Sequence, residues 1–429
     1  MVIMLMEVMV NPRMSKSPVY HRRETCRACG ERSLRLFLPL GNQPLANSFL
    51  KSPEEFVDEQ FFPLDTVFCE ICSLVQIPDV VDPEVLFRHY LYVTGTSETI
   101  AQHNRAYAQT VTDMLWLTQN DLVIEVASND GSLLRCFQEL GVRTLGVDPA
   151  TNVAAMARAN GVETINEFFN HEAAKRIRAE RGPAKAVIGN NVLAHVDDTQ
   201  DFLRGCKEII GQDGLVIIEM PYLGDLLNRT EYDTIYHEHL CYFSVNSLMR
   251  LCESAGLRIV RMDHVPIHGG SLRMHAGHVE VHGNHSAQVL DWAEEEKSKG
   301  FTRFERYEQL AKSVERSRET LMELLTRLKA EGKTVAGYGA AAKGNTLLNY
   351  CRITTDLLPY VVDKNPLKLG MYTPGMHIPV LPVSTLLERQ PDYLLILAWN
   401  FGEEIMRQQS EYKARGGKFI LPIPEVTVV

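Results

Sequence analysis

The stretch Asp121-Leu-Val-Ile-Glu-Val-Ala-Ser-Asn-Asp-Gly-Ser132 constrains this chain more than any other. Leu122, Val123, Ile124, Val126 and Ala127 form a short apolar run, the pattern of a parallel strand covered on both faces. Gly131 permits a turn that a side chain would resist. Ser132 is placed to cap a helix that opens at Leu133-Leu134. Leu145-Gly-Val-Asp148 reads as the next strand, ending on an acid. Such a unit belongs to an α/β fold with a parallel sheet, whose ligand crevice lies at the carboxyl ends of the strands.

The turn selects the ligand. A dinucleotide site uses G-x-G-x-x-G so that backbone amides can approach a pyrophosphate. Here the turn is Ala127-Ser-Asn-Asp-Gly131, with one glycine and an aspartate that would repel phosphate. Carboxylates suit a ligand that carries cations instead. S-adenosylmethionine has a sulfonium, an ammonium and no phosphate. The expected contacts are Glu125 or Asp130 near the ammonium and Asp148 on the ribose hydroxyls. Ala127, Asn129 and Gly131 form the turn itself. Phe168, after the third strand, can stack on adenine or pack in the core, and Asn190 ends the fourth strand.

A length of 429 residues implies about three domains. The net charge of −10 argues against a general nucleic-acid or membrane-surface binder. No apolar run approaches the roughly 20 residues that span a bilayer. Met1–Val10 is apolar but carries Glu7 and lacks a basic leader, so it reads as an extension or a mis-called start, not a signal peptide. Nine cysteines, five of them scattered, suit a reducing cytoplasm better than a disulfide framework. A cytoplasmic monomer is expected.

Cys26-Arg-Ala-Cys29 and Cys69-Glu-Ile-Cys72 are two thiolate knuckles. Each C-x2-C turn points two sulfurs at one centre, and two turns complete a tetrahedral Zn²⁺ site. Four protein ligands leave no open position, so the metal is structural. The 39 intervening residues require a strand-rich insert.

Strands and helices then alternate from Gly131 to Ile165, the sign of βαβ units. Lys185-Ala-Val-Ile-Gly-Asn-Asn-Val-Leu-Ala-His195 is the fourth strand, which delivers Asn190, Asn191 and His195 to the crevice. Gly214–Met220 is the fifth. Tyr232–Phe243 follows, the densest cluster of titratable and aromatic residues, with Tyr236, His237, Glu238 and His239 in succession. A His-Glu-His spacing does not put two metal ligands on one helical face. An imidazole beside a carboxylate fits a general base whose tautomer the carboxylate fixes. Leu257–Val265 and Ser271–Val279 should be the last, antiparallel strands. His264, His268, His275, His278 and His282 give no coherent ligand spacing.

Phe301–Leu328 is amphipathic at helical spacing and reads as a connecting helix. A second α/β unit follows. Lys333–Thr346 is strand, Gly-rich turn and helix, Tyr360–Asp363 is its next strand, and Tyr393–Ala398 is a later one. Gly337, Gly339 and Lys343 can cradle a phosphate on amides with a cation beside it. Asn345, Asp363, Trp399 and Asn400 complete this candidate substrate site. A plain Rossmann-like scaffold is the other reading.

The four-cysteine segment, the Glu125–Gly131 turn, Asn191-Val-Leu-Ala-His195, Tyr236-His-Glu-His239, Gly269-Gly-Ser-Leu-Arg273 and Gly337-Tyr-Gly-Ala-Ala-Ala-Lys-Gly-Asn345 occur in order over most of the chain. Together they resemble the sugar C-methyltransferases that act on nucleotide-linked deoxysugars. Ala127 stands where that family's turn has glycine. The resemblance implies a zinc-binding domain over 1–88, a class I (Rossmann-like) methyltransferase domain over 89–313, and a second Rossmann-like domain over 314–429 that holds the nucleotide. It implies S-adenosylmethionine as donor. The acceptor would be a nucleoside-diphosphate 4-keto-6-deoxyhexose, methylated at the ring carbon next to the ketone (C3) through an enolate. It implies His239 as base, tuned by Glu238, with Tyr90, His195 and Tyr236 near the enolate or sugar oxygens and Tyr92 as the alternative to Tyr90. Two rivals are an NAD-dependent nucleotide-sugar oxidoreductase and a non-enzymatic zinc-ribbon binding protein.

Overall fold

The structure is a computed structural model and describes residues 20–88, 94, 98–267 and 269–429. Met1–Val10, Tyr90, Tyr92 and His268 lie outside the described residues.

The amino-terminal segment contributes β1 (Tyr20–Arg22), β2 (Leu34–Pro44), β3 (Phe61–Cys69), β4 (Val75–Gln76) and β5 (Asp79–Val81). β1 and β5 pair as a small antiparallel ribbon, and β2, β3 and β4 form an antiparallel meander. The middle of the chain supplies β6 (Leu122–Val126), β7 (Arg143–Val147), β8 (Thr164–Ile165), β9 (Ala184–Asn190), β10 (Ile210–Pro221), β11 (Cys241–Tyr242), β12 (Leu257–Val265) and β13 (Ser271–His278). Seven of these form one sheet in the order β12-β13-β10-β9-β6-β7-β8. β8 to β10 are mutually parallel, and β13 runs antiparallel to both β10 and β12. All of β6 is buried, its apolar residues and Glu125 alike. The chain winds outward from β6 to β8 and returns at β9. The crevice therefore opens over the carboxyl ends of β6 and β9, where the winding reverses.

The carboxy-terminal sheet is built from β14 (Val335–Tyr338), β15 (Val361–Asp363), β16 (Val380–Pro382), β17 (Tyr393–Ile396), β18 (Lys418–Leu421) and β19 (Thr427–Val428). Its order, β16-β15-β14-β17-β18-β19, is parallel except for the last strand and reverses between β14 and β17.

Two features join the segments. β11 adds to the amino-terminal sheet, Cys241 opposite Gln76 and Tyr242 opposite Val75. The helix Phe304–Ala330 turns Tyr307, Leu310, Val314, Leu321 and Leu325 inward at three- and four-residue spacing. Tyr307 packs against Phe37 and Phe68 of the amino-terminal sheet, with ring centroids 5.2 and 4.6 Å apart. This helix is thus a packing element and not only a connection. No helix among the described residues is long and apolar enough to cross a membrane.

Candidate active site

The turn after β6 alternates left-handed residues: Ala127, Asn129 and Gly131 have φ of 58°, 50° and 77°. A Cβ on Gly131 would lie 2.8 Å from Val162, so glycine is required there for space as well as for conformation. The helix Ser132–Glu139 is not capped by the Ser132 side chain. Asp130 does this, its Oδ1 accepting from Ser132 N at 3.2 Å and Ser132 Oγ at 2.6 Å. Asp130 is therefore engaged by its own helix, which favours Glu125 of the two acids expected at an ammonium. Asp148 accepts from Asn129 N and Ala150 N, both at 2.8 Å. Asn129 Oδ1 accepts from Thr94 N at 3.0 Å.

Glu125 is buried, and its Oε2 has no hydrogen-bond partner among the described residues. Burial, then the charges of Asp130 and Asp148, push its carboxyl well above the ordinary range. Asn190 Oδ1, at the end of β9, is likewise buried and without a partner among the described residues. The crevice thus presents acceptors in excess of donors, which fits a cationic, hydroxyl-bearing ligand. Phe168 sits under the guanidinium of Arg88, 5.3 Å from its ring centroid.

Tyr236 and His239 are the first and fourth residues of one turn, closed by His239 N to Tyr236 O at 2.8 Å. This brings the two rings together, 4.1 Å between centroids. Nδ1 of His239 is 2.9 Å from the carbonyl oxygen of Thr234. A carbonyl only accepts, so Nδ1 carries the hydrogen and the neutral ring's Nε2 carries the lone pair. Tyr236 Oη donates to that Nε2 at 2.8 Å. Glu238 was expected to fix this tautomer. Both ring nitrogens are instead served by Thr234 and Tyr236, and Glu238 Oε1 accepts from Asn47 Nδ2 at 2.6 Å. The turn forces the acid to the opposite side. His237 points into the amino-terminal sheet, Nε2 donating to Pro63 O at 3.1 Å, and burial pulls its pKa down to about 4.

His195 stacks edge-on against His239, centroids 4.8 Å apart. Leu240 N donates to Ala194 O at 2.7 Å and ties the two segments. Burial lowers His195 to about 4, and its Nε2 has no partner among the described residues. It is a neutral ring at neutral pH.

Sequence reasoning missed a largely buried triad at the carboxyl ends of β9 and β10, where Glu219 stands opposite Asn190. Glu219, near the end of β10, accepts from Arg273 Nε and a terminal guanidinium nitrogen at 3.0 and 2.7 Å and meets His103 Nε2 at 3.0 Å. Burial would raise the Glu219 carboxyl, but His103 and Arg273 hold it below its usual value. Arg273 lies 3.9 Å over the Tyr107 ring. The signal was the Gly269–Arg273 run, which had no assigned role.

In the carboxy-terminal unit, Asp363 accepts from Ala340 N at 2.6 Å and Asn365 N at 2.7 Å, which ties the end of β15 to the Gly-rich turn. Gly337 lies in β14, and Gly339 has φ of 94° in the turn. Lys343 was expected to face phosphate. Its ammonium lies 4.8 Å over Trp399, whose Nε1 donates to Asp233 Oδ2 at 2.6 Å. Burial lowers Lys343, while Asp233 and Glu231 of the middle segment pull it back up. Burial raises Asp233 to about 6 and Glu231 to about 8. Trp399 thus lies between this lysine and Asp233. Asn345 Nδ2 donates to Ala46 O at 2.7 Å, and Asn400 lies in the turn Trp399–Phe401.

The four sulfurs of Cys26, Cys29, Cys69 and Cys72 lie within 4.8 Å of one another. The edge of a tetrahedral zinc–thiolate site is roughly 3.8 Å, so the donor set fits Zn²⁺. Both knuckles close alike: Gly30 N to Cys26 O and Ser73 N to Cys69 O, each 2.9 Å, with left-handed Gly30 and Ser73. Gln76 Nε2 donates to Cys26 Sγ at 3.2 Å.

Residues 26–87 match the family described as "Putative zinc binding domain", residues 100–262 "Methyltransferase domain", and residues 266–424 "C-methyltransferase C-terminal domain". The C-methyltransferase NovU of Streptomyces niveus is 38% identical over 406 residues, 95% of this chain and 97% of that protein. Magnesium protoporphyrin IX methyltransferase from Synechocystis PCC 6803 is 14% identical, over 41% of this chain and 81% of that one, with a TM-score of 0.32. An S-adenosylmethionine-dependent methyltransferase from Clostridium acetobutylicum is 10% identical, over 41% and 91%, with a TM-score of 0.33. At these scores the structural likeness is too remote to bear on function.

Proposed function

The chain belongs to the C-methyltransferase family, and we propose that it methylates a nucleoside-diphosphate 4-keto-6-deoxy sugar at the ring carbon next to the ketone, C3. S-adenosylmethionine would supply an electrophilic methyl group. Family membership displaces the oxidoreductase and zinc-ribbon readings. The observation that carries the proposal is the Tyr236–His239 pair with its tautomer fixed by Thr234.

A carbon nucleophile requires removal of a proton next to the ketone. That proton passes to the Tyr236 oxygen as the tyrosine's own hydrogen moves to Nε2 of His239. The electron pair of the broken C–H bond becomes the enolate. The imidazolium keeps its Nδ1–H on Thr234 O, so the ring does not reorient during transfer. His195, neutral and unpartnered at Nε2, is available to a sugar oxygen. Tyr90 is assigned to the same oxygens by resemblance alone. Glu125, Asn190 and Asp148 provide acceptors for the donor's ammonium and ribose, across the turn of Ala127, Asn129 and Gly131. Phe168 borders the adenine. Gly337, Gly339, Asp363 and Asn345 frame the nucleotide side. Zn²⁺ on the four cysteines holds the fold and takes no part in the chemistry.

The test is mass spectrometry of nucleoside-diphosphate 4-ketosugars incubated with the protein and deuteromethyl-labelled S-adenosylmethionine. The expected product gains one labelled methyl on carbon. Label on oxygen, or none with any ketosugar, would overturn the reading.

A further inference from the structure

Lys368 sits in the loop after β15, and its Nζ donates to the carbonyl of Ala340 in the Gly-rich turn at 2.6 Å. Its ammonium lies 4.8 Å from the centroid of Phe49, from the amino-terminal segment. It is half-buried, with Asp363 at the end of β15 and Glu238 of the Tyr236–His239 turn as its electrostatic neighbours. An ammonium has three donors, and among the described residues one is used. The loop that brings Phe49 is anchored on both sides. Ala46 O accepts from Asn345, Asn47 reaches Glu238, and Leu50 exchanges backbone bonds with Tyr372.

A nucleotide sugar carries its two phosphates between hexose and nucleoside. With the hexose at Tyr236–His239 and the nucleoside on the carboxy-terminal unit, the diphosphate has to cross between the catalytic turn and the Gly-rich turn. Lys343 lies over Trp399, whereas Lys368 is hydrogen-bonded to the Gly-rich turn itself and stands against Phe49 of the loop that reaches Glu238. Resting on the function proposed above, we propose that Lys368 binds the substrate diphosphate and that Phe49 of the zinc-binding segment backs it. The amino-terminal segment then contributes to substrate binding as well as to folding.

Calorimetric titration of the full chain with uridine, thymidine and guanosine diphosphates, and with the matching nucleosides, tests this. Lys368→Met and Lys368→Gln should weaken the preferred diphosphate by roughly ten- to a hundredfold, as loss of a charge-assisted bond does. They should leave nucleoside and S-adenosylmethionine affinity unchanged, and Lys368→Arg should restore most of the loss. Unchanged diphosphate affinity in either variant that still binds S-adenosylmethionine overturns the inference. If the unaltered protein binds none of the diphosphates, the nucleotide-sugar assignment itself fails.

Discussion

The hydroxyl of Tyr236 donates to Nε2 of His239 at 2.8 Å, and the opposite nitrogen of that ring is held by the carbonyl of Thr234 at 2.9 Å. A proton path into the protein is therefore already aligned before any ligand arrives. His239→Asn and Tyr236→Phe should each lower methyl transfer by roughly 10²–10⁴-fold with both ligands still bound. Both should also suppress deuterium wash-in next to the ketone. Glu238→Gln should leave the pH–rate profile in place, because the carboxylate does not set the tautomer. A shifted profile in that variant would restore Glu238 as the tuning group.

Ala127 holds a left-handed conformation at φ 58° that disfavours any Cβ. Ala127→Gly should raise stability by up to about 1 kcal/mol, the relieved strain exceeding the added chain entropy. Gly131→Ala should do the reverse and weaken S-adenosylmethionine binding, since its Cβ meets Val162 at 2.8 Å. Urea midpoints and calorimetry on the two variants check both directions.

His237 is neutral and buried, with a pKa of about 4 against an ordinary 6.5. The unfolded chain binds more protons than the folded one between those values. This histidine's stabilising contribution is therefore complete above pH 6.5 and is lost as pH falls toward 4. His237→Gln can keep the bond to Pro63 without the titration. Its denaturation midpoint should fall less than the parent's between pH 7 and pH 5.

Lys343 offsets two buried carboxyls. Lys343→Met should lower stability at neutral pH, because it removes the cation that offsets Asp233 and Glu231. With the cation gone, the pKa values of Asp233 and Glu231 rise further from about 6 and 8. A raised carboxyl favours folding at low pH, so the deficit should grow as pH increases from 6 to 9. A melting temperature that falls equally at every pH would contradict this.

Cys26, Cys69 and Cys72 share one apolar core with Leu122, Ile124 and Val216 of the central sheet. Removing Zn²⁺ with a chelator, or Cys69→Ser, should therefore lower the melting temperature of the whole chain in one transition. Scanning calorimetry with metal analysis would show it. An early transition confined to the amino-terminal segment would argue for independent units.

The central sheet was legible because β6 is mostly apolar and β7 runs through Leu145 and Val147 to Asp148, and the zinc knuckles because sulfur spacing is local. The cluster Tyr236–His239 was legible as a cluster, but not its wiring. A four-residue turn decides which neighbours face each other, and the acceptor of Thr234 is a backbone atom with no side-chain signature. The surroundings of Lys343 were not legible because Glu231 and Asp233 lie over a hundred positions away in the chain. Lys368 had no local signal at all, since its meaning comes from Phe49 and Glu238 reaching it from two other segments.

β11 begins at Cys241, two residues beyond His239, and Cys241 pairs with Gln76, whose amide reaches the sulfur of Cys26. The Tyr236–His239 turn and the four-cysteine cluster thus share a single hydrogen-bonded scaffold. A hybrid enzyme made by exchanging amino-terminal segments between relatives would have to carry 236–242 along with the cysteines. A cut at the nominal border near residue 88 would separate strand partners and leave the catalytic turn without its mounting.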